Sequence, residues 1–160
     1  MAKKTIEQQT AEAILQTESK TFTVAGREYE VGKPTVATII MCSELISQLP
    51  EIREVSPEDI VNETLRVAKD LSLIGRIAAT LMLGAKRVLE HRKVDVESVQ
   101  IEEVEYIAQN ILLEYSPTEL ATLITGRLTK LEIGSFFGIT TSLAEANILK
   151  PTRSASEVGD

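Results

Sequence analysis

The chain has 160 residues, of which 43% are hydrophobic and 26% charged, so it is long enough to bury the core of one domain. Its net charge of −7 argues against partners that need clustered Lys and Arg, namely nucleic acid and anionic membrane surfaces. Its single cysteine, Cys42, excludes an internal disulfide and fits a reducing cytoplasm.

Residues 1–20 form a polar N-terminal segment, for which a short helix and a frayed chain are equally good predictions. No apolar stretch follows Lys3 and Lys4, so the sequence predicts no signal peptide. We therefore expect a cytoplasmic protein.

Residues 21–31 carry the clearest β signal, and it predicts a hairpin. With Gly26 and Arg27 at the centre of a type II′ turn, Val24 lies opposite Tyr29. The apolar side chains that then share one face are Phe22, Val24, Tyr29 and Val31. An isolated hairpin is marginal in water, so this face must cover helices, or an edge must pair with another chain.

Two helices are predicted next. The first begins at Pro34, runs to about Gln48 and buries Cys42 as a small hydrophobe. The second begins at Ser56-Pro57, where serine caps the helix and proline occupies its first position. It leads into the richest aliphatic run of the chain, with a possible kink near Asp70 or Ser72.

That run, residues 71–89, predicts a long amphipathic helix on which the other helices pack. Its apolar stripe consists of Ile74, Ile77, Ala78, Leu81, Ala85 and Val88. Leu83 falls on the polar side of the same helix.

The C-terminal half predicts a linker over residues 91–97 and three more helices. The first covers residues 98–115, with Glu102, Glu103 and Glu105 on a solvated face. The second opens with a capping box at Ser116 and buries Leu120, Ile124, Leu128 and Leu131. The third covers residues 132–149, with Ile133, Phe136, Phe137, Thr140, Ala144 and Ile148 on its apolar stripe. Gly134 and Gly138, one turn apart, would admit another backbone. Residues 151–160 predict a disordered tail.

These elements define a mainly α fold, a compact bundle of five to six helices with one N-terminal β-hairpin at about residues 21–31. The globular domain is expected to span residues 21–150. The apolar run near residue 80 is interrupted by Arg76 and is too short to cross a bilayer, so we expect no membrane partner.

The sequence offers no catalytic constellation. Its only histidine, His91, follows a helix end, where it is expected to be solvated, and it is remote from Cys42. The glycines form neither a phosphate loop nor a dinucleotide-binding motif. We therefore expect no enzyme activity, no metal, no cofactor and no nucleic-acid binding.

Some apolar residues are candidates for a partner-binding or self-association surface. Leu83 and Ile139 fall off the stripes of their helices. The full candidate set is Phe22, Tyr29, Leu83, Phe136, Phe137 and Ile139.

Two stretches carry a family resemblance: FTVAGREYEVGKPTVATIIMCSELI, with its x-G-x-x-Y-x-V hairpin, and FFGITTSLAEANILKP. In these, and in its layout of polar start, hairpin, helices and polar tail, the chain resembles tail assembly chaperones of long-tailed bacteriophages. The resemblance implies a protein of the host cytoplasm that coats the apolar-striped tape measure protein and keeps it soluble until tail tube subunits replace it. It also implies a longer form, made by frameshifting near the C-terminus.

Two other functions remain open. A structural virion or connector protein would self-assemble through the hairpin and helices, and would form stable rings. A small helical adaptor or regulator would need a basic recognition helix, for which Lys86-Arg87 with Arg92-Lys93 is the best stretch.

Overall fold

The computed structural model describes residues 5–8 and 20–146, which are mainly helical. The strands are β1 (Thr21–Val24), β2 (Arg27–Glu30), β3 (Lys93–Val96) and β4 (Val99–Glu102). The helices are α1 (Val36–Ser47), α2 (Ile60–Val67), α3 (Leu73–Leu83), α4 (Ala85–Leu89), α5 (Glu103–Glu114), α6 (Pro117–Lys130) and α7 (Ile133–Ala146). A 3-10 turn, Asp70–Ser72, joins α2 to α3. The predicted fold class is confirmed, and a second small hairpin is added to it.

The hairpin β1–β2 forms where the sequence predicts it, but with a different turn. Phe22 pairs with Tyr29, and the two turn residues are Ala25 and Gly26, both at positive φ (51° and 68°). Two successive positive φ values are typical of a type I′ turn, whose twist suits a hairpin. The predicted pairing was displaced by two residues, which leaves each side chain on the predicted face because side chains alternate with a period of two.

The starts of α1 and α2 differ from prediction. Thr35 caps α1, and its hydroxyl accepts a hydrogen bond from the Thr38 N–H, so Pro34 lies outside the helix. The α2 helix begins at Ile60, one turn after Ser56. The Ser56 hydroxyl donates to the Asp59 carboxylate at 3.2 Å instead of capping a backbone N–H.

The α3 helix lies at the centre of the fold, as the sequence predicts, with α1, α5 and α6 packed around it. Every residue from Ile77 to Leu83 is buried, so this part of the helix is covered on all sides. The predicted kink near Asp70 and Ser72 is the 3-10 turn. The predicted helix over residues 71–89 is nonetheless interrupted at Gly84, whose φ of 78° and ψ of 152° are incompatible with an α-helix. Seven α-helices therefore lie between residues 20 and 146, instead of the five or six predicted.

The predicted linker at residues 91–97 is wrong, because β3 and β4 form a second antiparallel hairpin there. Val96 pairs with Val99, and the turn residues Glu97 and Ser98 have φ values of 49° and 71°. The α5 helix consequently begins at Glu103 and not at residue 98. The sequence signal was weak because β3 and β4 are half exposed and the turn between them contains no glycine.

The capping box that opens α6 is confirmed. Ser116 Oγ accepts from the Glu119 N–H, and the Glu119 carboxylate accepts from the Ser116 N–H at 2.7 Å. The face of α6 that is fully buried contains Leu123 and Arg127, while three predicted positions, Leu120, Ile124 and Leu128, are half-buried.

The α7 helix does not bury the predicted stripe. No residue between Ile133 and Ala146 is buried, and Phe136 is the half-buried member of the stripe. Its Gly134 and Gly138 have no neighbour within 4 Å of an added Cβ, so the predicted backbone crossing is absent from this part of the chain. Ile148, the tail over residues 151–160 and most of the N-terminal segment lie outside the described residues.

Candidate protein-binding surfaces

Three of the six predicted partner-binding residues lie in the core. Phe22, Tyr29 and Leu83 are 2%, 7% and 2% exposed, so the predicted surface placement is wrong for them. The Phe22 and Tyr29 rings stack with centroids 5.4 Å apart, and the Arg87 guanidinium lies 5.8 Å from the Tyr29 ring centroid. The first contact lies within the hairpin and the second connects the hairpin to α4 of the bundle. Burial raises the pKa of Tyr29.

Leu83 is buried because chain segments outside α3 cover it. A 100° step along a continuous helix places Leu83 on the polar side, but the backbone of Gly32 packs against the last turn of α3. An added Cβ on Gly32 would lie 2.0 Å from the Leu83 carbonyl oxygen. The hairpin and the segment that follows it therefore cover the side of α3 that the helical pattern assigns to solvent.

The other three candidates lie on α7. Phe137 is 70% exposed and Ile139 is 56% exposed, whereas Phe136 is half-buried. At 100° per residue, the large apolar residues of α7 occupy an arc about 160° wide. The members of that arc are Ile139, Leu143, Phe136, Thr140, Ile133, Ala144 and Phe137. The α7 helix is thus amphipathic, and most of its apolar arc faces solvent.

A groove of about 450 Å³ opens between the 3-10 turn, the end of α5 and the start of α6. It is lined by Ala68, Leu71, Ser72, Ile74, Leu112, Tyr115, Pro117 and Leu120. None of these side chains carries a charge. The groove therefore offers apolar surface to a partner's side chains.

The α3 and α5 helices approach each other closely beside the groove. An added Cβ on Gly75 would lie 2.7 Å from both the Ala108 carbonyl oxygen and Leu112 Cγ. Leu112 packs over Gly75 and stays 41% exposed at the rim, whereas the next residue, Leu113, is 83% exposed and lies outside the groove.

The sequence assigned most groove residues to apolar helix faces but did not show that these faces leave a groove. Leu112, Tyr115 and Leu120 each fall on the core side of their helix in a helical wheel. The angle between two helices decides whether their apolar faces cover each other completely, and this angle cannot be predicted from the periodicity of the sequence. The exposed apolar side chains of α2, Ile60, Val61 and Leu65, were missed for the same reason.

The acidic residues at the start of α5 are neutralised by basic neighbours. Glu103 is buried and accepts two hydrogen bonds from Arg87, each 2.8 Å long, so the predicted solvated position is wrong for it. Glu105 pairs with Arg76 at 2.6 Å. The pKa of Glu102 is lowered, chiefly by the hydrogen bond from Lys93. Because its pKa is lowered, the Glu102 carboxylate is a poor candidate for a general acid.

Ion pairs also engage most of the basic stretch predicted for an adaptor. Arg87 contacts Glu103, Arg92 contacts Glu90 and Lys93 contacts Glu102. These side chains are committed to intramolecular acids, which weakens the support for a nucleic-acid-binding helix.

The remaining reactive groups are separate from one another. Cys42 is buried, as predicted, and burial raises the pKa of its thiol to about 11. His91 is solvated, also as predicted, with its Nδ1 3.3 Å from Glu102. Within residues 5–8 and 20–146 there is no group of three or more metal-ligating side chains. Nor does any helix in those ranges have the length and apolar character that crossing a membrane requires.

Comparison with known proteins adds no relative. No protein-family model matches the chain, and neither the curated proteins nor the solved structures give a match.

Proposed function

We propose that this protein is a non-catalytic chaperone that binds the tape measure protein of a long-tailed phage and keeps it soluble during tail assembly. The observation that carries the binding function is the uncharged apolar groove between the 3-10 turn, α5 and α6. The resemblance of the two quoted sequence stretches supplies the identity of the partner and the host cytoplasm as the place of action.

The groove suits an amphipathic partner helix. Such a helix projects large apolar side chains every three or four residues, and a groove of about 450 Å³ has room for two or three of them. Burying each one stabilises the complex by roughly 1.5–3 kcal/mol before ordering costs. The net charge of −7 would keep the resulting complex in solution.

Co-expression with a tape measure protein of a long-tailed phage tests the proposal. We expect the long partner to be soluble with this protein, to co-purify with several copies of it, and to precipitate alone. Leu112→Glu places a charge at the groove rim and should abolish co-purification. Leu113→Glu makes the same change one residue away, outside the groove, and should leave co-purification intact. A partner that is equally soluble without this protein would contradict the proposal.

A structural virion or connector protein is the second candidate, and the exposed apolar arc of α7 favours it. The hairpin no longer supports it through Phe22 and Tyr29, because their side chains are buried within the chain. This candidate predicts rings or tubes of the purified protein alone, visible by electron microscopy.

A further inference from the structure

The α7 helix is joined to the bundle through a single strained residue. Leu131, at the end of α6, is buried beside Cys42, Ile77 and Leu81. Between it and α7 lies only Glu132, whose φ is 50°. A non-glycine residue in the left-handed region costs roughly 1–2 kcal/mol.

Nothing within α7 offsets that cost in the isolated chain. A 14-residue helix is of marginal stability in water without tertiary packing, and no residue of Ile133–Ala146 is buried. Local strain persists when surrounding contacts compensate for it, and surface that covers the apolar arc of α7 would supply that free energy.

The chain itself carries a surface that matches this arc. The groove and the apolar arc are both uncharged, and Glu145, the one charged residue in α7, lies outside the arc. The two phenylalanines and Leu143 supply side chains of the size that a groove of about 450 Å³ holds.

A helix cannot easily fill the groove of its own chain. The groove adjoins Pro117 and Leu120 at the start of α6, whereas α7 begins after the end of α6, about 20 Å further along a 14-residue helix. Folding back would need a reversal within Leu131 and Glu132, and Leu131 is fixed in the core. Short, strained hinges of this kind favour exchange between copies.

We propose that α7 of one copy binds in the groove of a second copy, and that the exchange is reciprocal, giving a two-fold dimer. Two copies with a net charge of −7 repel each other, so their interface must use uncharged surface, which both the apolar arc and the groove provide. A reciprocal dimer contains the same contact twice, which helps it to bury the roughly 1,000 Å² of surface that a stable interface requires. The inference rests on the groove of the proposed function but not on the identity of its partner.

Cysteine trapping in the full-length chain, without any partner protein, tests the exchange. Leu112→Cys and Phe137→Cys are made as separate variants, mixed and oxidised. We expect a disulfide-linked heterodimer that forms at least ten times faster than with Ser135→Cys, which lies on the opposite side of α7. Native Cys42 does not interfere, because it is buried and remains a thiol.

Light scattering after size exclusion gives the oligomeric state independently. The unmodified chain should be a dimer, and Phe137→Asp should weaken dimerisation at least tenfold, while Ser135→Asp should not. A monomer at all accessible concentrations would overturn the inference. So would Phe137→Cys cross-linking mainly to itself, which indicates pairing of two α7 helices.

These results separate the inference from the proposed function. A dimer with the expected cross-link that ignores the tape measure protein keeps the exchange and rejects the chaperone. A monomer that co-purifies with the tape measure protein keeps the chaperone and rejects the exchange.

Discussion

Arg127 shows how one buried cation can organise three segments. It is 4% exposed, and its Nε and Nη2 donate to the carbonyl oxygens of Leu81 and Gly32 at 3.2 and 2.9 Å. Burial lowers its pKa from the ordinary value. The guanidinium stays charged at neutral pH and joins α6 to the end of α3 and to the chain that follows β2.

We predict that Arg127→Met destabilises the protein by about 2–4 kcal/mol, because two buried carbonyls lose their donor. Arg92→Met removes an exposed arginine paired with Glu90 and should change stability by less than about 0.5 kcal/mol. Urea denaturation of both variants provides the measurement. Equal effects would show that the two carbonyl contacts are not important to the fold.

Glu63 fixes the segment before α2 onto that helix. Its carboxylate accepts from Arg66 Nε at 2.9 Å and from Arg66 Nη2 at 2.6 Å, and also from the Arg53 N–H at 3.0 Å. The Arg66 hydrogen bonds are the largest cause that lowers the pKa of Glu63 to about 2, and the Arg53 N–H is the second.

This depressed pKa predicts an acid-dependent loss of stability. The contribution of ionised Glu63 is complete above the ordinary pKa of 4.5 and disappears as the pH falls towards 2. Glu63→Gln should therefore lower the Tm at pH 7 and match the unmodified protein near pH 2. A Tm difference independent of pH between 7 and 2 would contradict the assignment, as would no difference at pH 7.

At the scale of elements, the break at Gly84 is built from side chains and backbone of three other segments. Ala85 N–H, which a continuous helix would direct to the Leu81 carbonyl, donates instead to Thr38 Oγ1 at 3.1 Å. Arg127 occupies the freed Leu81 carbonyl, and the Gly32 N–H donates to the Met82 carbonyl at 2.7 Å. The helix can end inside the core because the Ala85 N–H and the Leu81 and Met82 carbonyls all have new partners.

Glycine substitutions test this junction. Gly32→Ala would bring a Cβ to 2.0 Å from the Leu83 carbonyl oxygen, so the backbone must move, and we expect a loss of stability above about 2 kcal/mol. Gly134→Ala makes the same change in α7 with nothing within 4 Å of the new Cβ. It should leave stability unchanged or raise it by up to about 1 kcal/mol through helix propensity. Thermal unfolding of both variants is the measurement, and a harmless Gly32→Ala would contradict the close approach.

For the whole molecule, the core is complete without α7. Leu81, Met82, Ile107, Ile111 and Leu123 are among the largest fully buried side chains, and they lie on α3, α5 and α6. The groove is likewise formed without any residue of α7. The α7 helix is therefore available for contacts outside the fold of its own chain.

We predict that a chain ending at Glu132 still unfolds cooperatively, with a free energy of unfolding within about 1 kcal/mol of the full chain under conditions where both are monomeric. A chain ending at Tyr115 lacks Leu123 and Arg127 and should not fold. Circular dichroism during thermal unfolding measures both. Loss of folding in the first truncation would show that α7 stabilises its own bundle.

The sequence by itself determined the features that depend on local pattern. Periodicity identified α3 as the central helix, alternation identified the apolar face of β1–β2, and the capping box at Ser116 identified the start of α6. Each of these signals depends only on residues that are close together in the sequence. Each remained correct even where the hairpin register was displaced.

The tertiary structure alone decided what depends on contacts between distant segments. Only packing showed that Gly84 ends α3. The groups released by that break bind Gly32, Thr38 and Arg127, and each of these three residues lies 46 or more residues in sequence from the group that it binds. Only packing showed that Leu83 is covered while Phe137 is not. A periodicity identifies an apolar face, but the positions of the other helices determine whether that face is covered.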